Sequence, residues 1–217
     1  MNEIRIPRGL LAITPGKATC SRDVPELRRT IGRAFEGGLP AVLIREPGLS
    51  DGDLFELARE TVLLARRFES IWVGVHDSVH VALASGANGV HLGFRSLPLE
   101  AARPLVEGRC ALGFSAHDHD ERALWELADY LTFGPVRETP SKVGLVEPTG
   151  FERLAAAVRE SPAPVLALGG MRPEDVAPAR HAGAVGVAVL SRVLGAGHPE
   201  ARAAEFLAAL AEVEEAP

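Results

Sequence analysis

The sequence predicts a single (β/α)₈ barrel, and three observations carry this prediction. Eight short apolar runs, rich in β-branched residues, alternate with stretches whose apolar residues recur at helical spacing. The runs are apolar almost throughout, which is typical of parallel strands buried on both faces. Polar residues and glycines gather where the runs end, at the edge of a parallel barrel that carries chemistry. We expect all 217 residues to form one domain.

The strands and helices follow one another in regular alternation. The predicted strands are Leu10–Thr14, Ala41–Arg45, Ile71–Val75, Gly89–Leu92, Ala111–Phe114, Tyr130–Phe133, Val165–Leu168 and Val185–Leu190. The predicted helices are Pro25–Glu36, Asp51–Phe68, Val79–Ala84, Leu99–Val106, Glu121–Ala128, Phe151–Glu160, Pro173–Ala182 and Pro199–Val213. Ser50 favours a helix start at Asp51, because a serine hydroxyl caps free N–H groups.

The alternative fold is an open doubly wound sheet, which would place a nucleotide near a glycine-rich first loop. The first strand instead runs into Thr14-Pro-Gly-Lys17, which lacks the Gly-x-Gly-x-x-Gly pattern. A repeated Gly-Ala-x-Gly-Val segment, at Gly86 and at Gly183, further favours the barrel. The two copies would open strands four and eight, half a barrel apart, with the glycines ending the preceding helices.

The composition excludes several classes of function. The net charge of −6 is spread along the chain, so no basic face is available for nucleic acid. We find no apolar stretch long enough to span a membrane and no apolar signal-peptide core at the N-terminus. Cys20 and Cys110 lie far apart, which indicates reduced thiols in a cytosolic protein. Barrels of this kind often pair as homodimers, but no clear apolar surface stripe argues for it here, so the sequence leaves the oligomeric state open.

Two segments near the C-terminal end predict a phosphate site. Pro164-Val-Leu-Ala-Leu-Gly-Gly170 is a strand that ends in Gly169 and Gly170, where bare main-chain N–H groups can approach a ligand. The following strand ends in Leu190 and Ser191, and residues 190–193 read as the first turn of a short helix. Free N–H groups after the last two strands of such barrels commonly bind phosphate.

Further polar residues follow the other strands. Arg45 can bind a carboxylate or phosphate through its planar guanidinium, or pair with Glu46 at the rim. Asp77 follows strand three, where it can hold a cation, orient an imidazole or cap the next helix. His91 lies inside strand four and is interpreted as a packed core residue, and Ser115 directly follows strand five.

His117 and a long loop complete the candidate site. His117 lies just past strand five, and histidine carries protons near neutral pH; the alternative is a surface capping segment with Asp118 to Asp120. His117 and His119 have no third ligand at metal-binding spacing, so no metal is predicted. Thr139, Ser141 and Lys142 lie in a loop long enough to act as a lid, and Lys142 is one of only two lysines.

An ordered set of motifs resembles the thiamine-phosphate synthase and TenI superfamily across nearly the whole chain. The matching segments are Leu43-Ile-Arg-Glu46, Asp77 with Ala82-Leu-Ala84, Gly86-Ala-Asn-Gly-Val-His-Leu-Gly93, Gly113-Phe-Ser-Ala-His117, Phe133-Gly-Pro-Val136, Thr139-x-Ser-Lys142, Ala167-Leu-Gly-Gly-Met171 and Gly186-Val-Ala-Val-Leu-Ser191. The resemblance implies a (β/α)₈ barrel that binds a thiazole phosphate at its last two strands.

The resemblance implies one of two activities. The synthase joins a pyrimidine pyrophosphate to thiazole phosphate and uses Mg²⁺ to neutralise the leaving pyrophosphate. Its pattern places a lysine, an asparagine and a second metal-binding aspartate where this chain has Pro47, His76 and Ser96. The TenI branch, a thiazole tautomerase, needs neither metal nor cofactor and uses a histidine that corresponds to His117.

Because a metal-binding carboxylate, a pyrophosphate-binding lysine and the asparagine are replaced, the sequence favours a TenI-like thiazole tautomerase that isomerises a thiazole carboxylate phosphate. His117 would relay the proton. Arg45, Asp77, Ser115, Thr139, Ser141 and Lys142 would bind the substrate, and Gly169, Gly170, Leu190 and Ser191 its phosphate. The alternatives are a thiamine-phosphate synthase and a non-catalytic binder of thiazole or thiamine phosphate.

Overall fold

The structure, a computed structural model, describes residues 4–139 and 147–214. Its eight strands are parallel and close in chain order, with β8 paired to β1. The strands are β1 Gly9–Ile13, β2 Ala41–Ile44, β3 Trp72–His76, β4 Gly89–Leu92, β5 Ala111–Ala116, β6 Tyr130–Phe133, β7 Val165–Leu168 and β8 Gly186–Val189. The predicted (β/α)₈ barrel is therefore confirmed.

Helices follow the strands around the outside of the barrel. They are α1 Val24–Glu36, α2 Asp51–Ala65, α3 Val79–Ser85, α4 Leu99–Val106, α5 Arg122–Trp125, α6 Gly150–Glu160, α7 Val176–His181 and α8 Pro199–Glu214, with 3₁₀ turns at Ser21–Asp23 and Pro173–Asp175. As predicted, the Ser50 hydroxyl accepts a hydrogen bond from the main chain of Asp53, 3.2 Å away. In the described residues, no helix combines the length and the apolar character that crossing a bilayer requires.

The short helix expected to begin at Leu190 does not form, and this prediction is wrong. The chain makes bends and a turn after β8 instead, closed by a hydrogen bond from the N–H of Ala196 to the carbonyl of Val193. Gly195 permits this path, since a Cβ there would lie 2.7 Å from the carbonyl oxygen of Ser191. The segment folds back on itself too tightly for a helical turn.

The barrel interior is a separate apolar cluster from the layer between strands and helices. Its members are Leu11, Ile13, Ala41, Leu43, Trp72, Ala111, Tyr130, Leu166 and Ala188. The Trp72 and Tyr130 rings meet edge to face, with centroids 5.7 Å apart. These two large rings fill the end of the barrel opposite the mouth, and we call this packed end the floor. The polar groups of the mouth lie at the other end.

Glycines on the strands make room for these rings, and Gly113 is the clearest case. A Cβ on Gly113 would overlap the Tyr130 ring and lie 2.5 Å from Nδ1 of His91. We expect Gly113→Ala to lower the free energy of unfolding by about 1–3 kcal/mol, the usual cost of overpacking a core. Urea unfolding checks this. Gly197→Ala is the control, because no atom lies within 4 Å of its added Cβ; equal stability of both variants would contradict the prediction.

Candidate active site

The predicted site residues that the structure describes lie at the C-terminal edge of the barrel. Arg45 and Asp77 directly follow β2 and β3. Ser115 is the penultimate residue of β5, and His117 directly follows that strand. Two pairs, Gly169 with Gly170 and Leu190 with Ser191, follow β7 and β8. Thr139 is half-buried, at the end of the described part of its loop. Ser141 and Lys142 lie outside the described residues, so the lid stays a prediction.

Arg45 does not pair with Glu46, so that alternative is wrong. Glu46 is buried, and its carboxylate accepts hydrogen bonds from the main-chain N–H groups of Gly16 and Ala18 at 2.9 and 2.7 Å. The Arg45 main chain donates to the Thr14 hydroxyl at 2.8 Å, and its Nη1 lies near Gly16. Among the described carboxylates, none lies within 4.0 Å of the Arg45 guanidinium. The guanidinium is thus available to an anionic ligand.

Asp77 forms the centre of a polar cluster with His76 and Ser96. Its Oδ2 lies 3.1 Å from Nδ1 of His76, and its Oδ1 accepts a hydrogen bond from the Ser96 hydroxyl. Ser96 is held in turn by the N–H of Gly93, 2.6 Å from its Oγ. Asp77 adopts a φ of 63°, a left-handed conformation uncommon outside glycine and typical of functional sites. It does not cap α3, because Ser78 occupies that position.

His76 is held as a neutral imidazole. Burial lowers its pKa, the neighbouring Asp77 carboxylate raises it, and the Arg45 guanidinium lowers it again. Arg45 and His76 follow Ile44 and Val75, which are paired on the neighbouring strands β2 and β3. The sequence comparison identified positions 76 and 96 only as departures from a motif, whereas the structure shows that both side chains hold Asp77.

The interpretation of His91 as a packed core residue is confirmed. It is 2 % exposed, and burial lowers its pKa to about 3, with a smaller contribution from His76. Its Nδ1 lies 3.1 Å from the Tyr130 hydroxyl, and its Nε2 lies 3.0 Å from the Ser115 hydroxyl. Tyr130 and His91 therefore connect the barrel floor to the mouth through a line of polar atoms.

His117 is half-buried beside Asp120. Its main-chain N–H donates to Oδ2 of Asp120 at 2.5 Å, and its Nδ1 lies 3.7 Å from the same oxygen. The ring stacks on that of His119, which is exposed, with centroids 5.6 Å apart. Over residues 4–139 and 147–214, no three His, Cys, Asp or Glu side chains converge as metal ligands.

The loops after β7 and β8 present main-chain N–H groups to the mouth. Within the described chain, the N–H groups of Gly169, Gly170, Leu190 and Ser191 make no hydrogen bond to another residue. Gly169 and Gly170 have φ angles of 102° and 66°, and a Cβ on Gly169 would lie 2.6 Å from Cα of Pro135. Glycine is therefore required here, and its bare backbone leaves the N–H groups accessible to an anion.

A cavity of about 620 Å³ opens beside these loops, and sequence reasoning missed the arginines that line it. Its lining comprises Gly170, Arg137, Glu138, Arg172, Glu174, Asp175 and Arg192. Arg137 is fixed by the buried Asp175, with N–O distances of 2.9 and 2.8 Å, and by the Phe151 ring. Arg192 directly follows Leu190 and Ser191, and Arg172 lies two residues after Gly170. That adjacency was the only signal in the sequence that could have identified them.

Comparison with known proteins identifies what the chain resembles. The profile of the family described as thiamine monophosphate synthase matches residues 10–193. A protein of Anaeromyxobacter dehalogenans named thiamine-phosphate synthase is 39% identical over 188 residues, which cover 86% of this chain and 82% of the relative. One of the same name from Synechocystis is 35% identical over 189 residues, 86% of this chain, but the match spans only 54% of that longer protein.

A solved structure supports the same relationship. Thiamine phosphate pyrophosphorylase from Pyrococcus furiosus superposes with a TM-score of 0.81 at 28% identity, covering 94% of this chain and 96% of that chain. The prediction of a TenI-like tautomerase, an isomerase, is wrong in light of these findings, because the relatives named above are synthases, which are transferases. The proton-relay role predicted for His117 was tied to that reaction, and no finding tests the residue itself.

Proposed function

The chain belongs to the thiamine monophosphate synthase family, and on this premise we propose that it joins a pyrimidine diphosphate to a thiazole phosphate. The thiazole nitrogen forms a bond to the methylene carbon of the pyrimidine, the carbon–oxygen bond to the diphosphate breaks, and pyrophosphate leaves with that electron pair. The products are thiamine phosphate and pyrophosphate. No proton has to be moved at the reacting atoms.

The observation that carries this proposal is the presence of two anion-binding regions at one barrel mouth. The N–H groups after β7 and β8 suit the thiazole phosphate. The guanidinium after β2, which has no carboxylate partner among the described residues, suits the diphosphate, with Asp77 after the next strand. In the closed barrel β2 and β3 lie two to four strands away from β7 and β8, so the two regions occupy separate parts of the mouth. A tautomerase substrate has one phosphate and would offer the second region only a carboxylate, whereas the synthase offers it a diphosphate.

Resemblance to the synthases implies Mg²⁺, and the donor set around Asp77 fits it. The Asp77 carboxylate is 54 % exposed and is touched by the Ser96 hydroxyl, so a hard oxygen ligand faces the mouth. Mg²⁺ is commonly held by one or two carboxylates with the remaining positions taken by phosphate oxygens and water. The bound ion would offset the charge of the leaving pyrophosphate. Because Ser96 replaces the second metal-binding aspartate of the synthase pattern, Asp77 would be the one carboxylate ligand, and diphosphate oxygens and water would supply the others.

Side chains and main-chain N–H groups of the protein bind and orient the two substrates. Arg45 donates a pair of hydrogen bonds to diphosphate oxygens and stabilises the charge that grows as the bond breaks. The N–H groups of Gly169, Gly170, Leu190 and Ser191 orient the thiazole so that its nitrogen faces the pyrimidine carbon. Ser115 reaches the same space from β5. The site binds and orients two anionic substrates.

The decisive experiment combines the purified protein with both substrates and Mg²⁺. We expect thiamine phosphate and pyrophosphate in equal amounts, and no product when a chelator removes the metal. Asp77→Asn tests the same site, because an amide is a much weaker Mg²⁺ ligand than a carboxylate. Tight binding of thiamine phosphate without any turnover would overturn the proposal in favour of a non-catalytic binder.

Arg192 provides a test of the thiazole end. We expect Arg192→Ala to raise the KM for thiazole phosphate on the order of three- to tenfold, the effect of losing one solvent-screened charge near a phosphate. The KM for the pyrimidine diphosphate should stay within twofold. Steady-state kinetics with each substrate varied in turn checks this, with Arg29→Ala on the outer face of α1 as the control. A rise in the KM for the pyrimidine diphosphate instead would contradict the assignment of Arg192 to the thiazole phosphate.

A further inference from the structure

Four polar side chains form a column inside the barrel, between its apolar floor and its mouth. The Tyr130 hydroxyl lies 3.1 Å from Nδ1 of His91. On the other side of the ring, Nε2 lies 3.0 Å from the Ser115 hydroxyl and 3.3 Å from the Thr132 hydroxyl. Gly113 leaves the space in which the two rings meet, so the sequence of β5 is adapted to this pair. The column ends at Ser115, which is half-buried at the mouth.

The contacts determine which nitrogen of His91 carries the proton. Tyr130 is fully buried, and within the described chain its hydroxyl has no partner other than Nδ1. A buried phenol that only accepted would leave its own O–H without a partner, so it donates and Nδ1 accepts. Two hydroxyl oxygens converge on Nε2. One lone pair cannot accept from both, whereas one N–H can be shared between them, so Nε2 carries the proton.

This tautomer assigns a direction to the Ser115 hydroxyl. Its oxygen accepts from Nε2–H, which leaves its hydrogen pointing away from the ring. Within the described residues, His91 is the only polar group within hydrogen-bond distance of that hydroxyl, so its hydrogen has no acceptor there. Because the pKa of His91 is about 3, the ring stays neutral and the direction does not change across the working pH range. A ligand at the mouth therefore meets a donor at this position.

We propose that Tyr130 and His91 are positioning residues that fix Ser115 as a hydrogen-bond donor to an acceptor atom of the bound substrate. The acceptor carries no hydrogen of its own: an anionic diphosphate oxygen or an unprotonated ring nitrogen. The identity of the substrate rests on the proposed function, whereas the tautomer and the donor direction do not. Substrates that offer only N–H or O–H groups at this position are disfavoured, because their hydrogens would face the hydrogen of Ser115.

Nuclear magnetic resonance tests the tautomer without any turnover. In protein labelled with ¹⁵N-histidine, long-range ¹H–¹⁵N correlation spectra distinguish a protonated ring nitrogen from an unprotonated one. We expect His91 to show a protonated Nε2 and an unprotonated Nδ1. In Tyr130→Phe the proton should no longer be confined to Nε2. Thr61→Val is the matched control, since Thr61 is another buried hydroxyl and lies away from the column in α2. A wild-type spectrum with the proton on Nδ1 would overturn the proposal.

Ligand binding tests the donor role of Ser115. The probes are inorganic pyrophosphate with Mg²⁺ and thiamine phosphate, each titrated by calorimetry against the wild type and Ser115→Ala. We expect the Kd of one probe to rise about five- to twentyfold, the usual effect of losing one hydrogen bond. A higher Kd for pyrophosphate in Ser115→Ala identifies an oxygen acceptor. A higher Kd for thiamine phosphate alone, with the Kd for pyrophosphate unchanged, identifies a ring nitrogen.

The double variant Tyr130→Phe with Ser115→Ala should bind no more weakly than Ser115→Ala, because Tyr130 acts through Ser115. Unchanged Kd values in Ser115→Ala for both probes, or fully additive losses in the double variant, would overturn the proposal. These outcomes differ from a failure of the proposed function, in which turnover would be absent while the tautomer and the binding differences remained.

Discussion

Replacing Arg45 with Ala is expected to lower kcat/KM for the pyrimidine diphosphate about 10²–10³-fold, the range for loss of one preorganised donor to a developing charge. The guanidinium has no carboxylate partner among the described residues, so its charge is not already neutralised. Its Nη1 lies near Gly16. Most of the loss should appear in kcat, since charge on the diphosphate grows as the bond breaks.

Two further variants make this prediction specific. Arg45→Lys keeps the charge but not the planar pair of donors, so its activity should fall between those of the wild type and the Ala variant. Arg29→Ala removes an exposed arginine from α1, paired with Glu26, and should leave kcat/KM within twofold. Thermal unfolding should be similar throughout, because the hydrogen bond from Arg45 to Thr14 uses the main chain. Full activity of Arg45→Ala would contradict a role in binding the diphosphate.

The strands were predictable because each is an apolar run with a clear end. Gly89–Leu92, Tyr130–Phe133 and Val165–Leu168 are observed with the predicted bounds, and the register between neighbours follows from closure of the barrel. Helix ends were harder to predict. The fifth helix covers only Arg122–Trp125 instead of Glu121–Ala128, and the turn after β8 replaced a predicted helix. In both segments, tertiary contacts determine the local conformation and propensity does not.

The position of the site was predictable for a similar reason, since a parallel barrel brings every strand end to one edge. The contacts between the side chains of the site were not predictable. Ser96 contacts Asp77 across 19 residues and Tyr130 contacts His91 across 39, and no local pattern encodes such pairs. The activity was assigned wrongly because three replaced motif positions were weighed as if each were indispensable. The structure shows that one of them, Ser96, still supports the carboxylate that the motif serves.

The buried imidazole of His91 should make the protein sensitive to acid. Its pKa is about 3 in the folded chain and near 6.5 when unfolding exposes it to water. Between these values the unfolded state binds the additional proton, so the free energy of unfolding falls as the pH falls. Each pH unit inside this window costs about 1.4 kcal/mol, and from pH 6.5 to pH 4.5 His91 alone should cost roughly 2–3 kcal/mol.

His91→Gln tests this, because glutamine keeps a polar side chain in the column but does not titrate. Urea unfolding at pH 7 and pH 4.5 should show a loss of stability on acidification that is roughly 2–3 kcal/mol smaller in the variant than in the wild type. Carboxylates that titrate in both proteins contribute equally to both losses, so their contribution cancels in the difference. This holds even if the variant is less stable at pH 7. His119→Gln removes an exposed imidazole and serves as the matched control. Equal losses in wild type and His91→Gln would show that the buried ring does not govern acid stability.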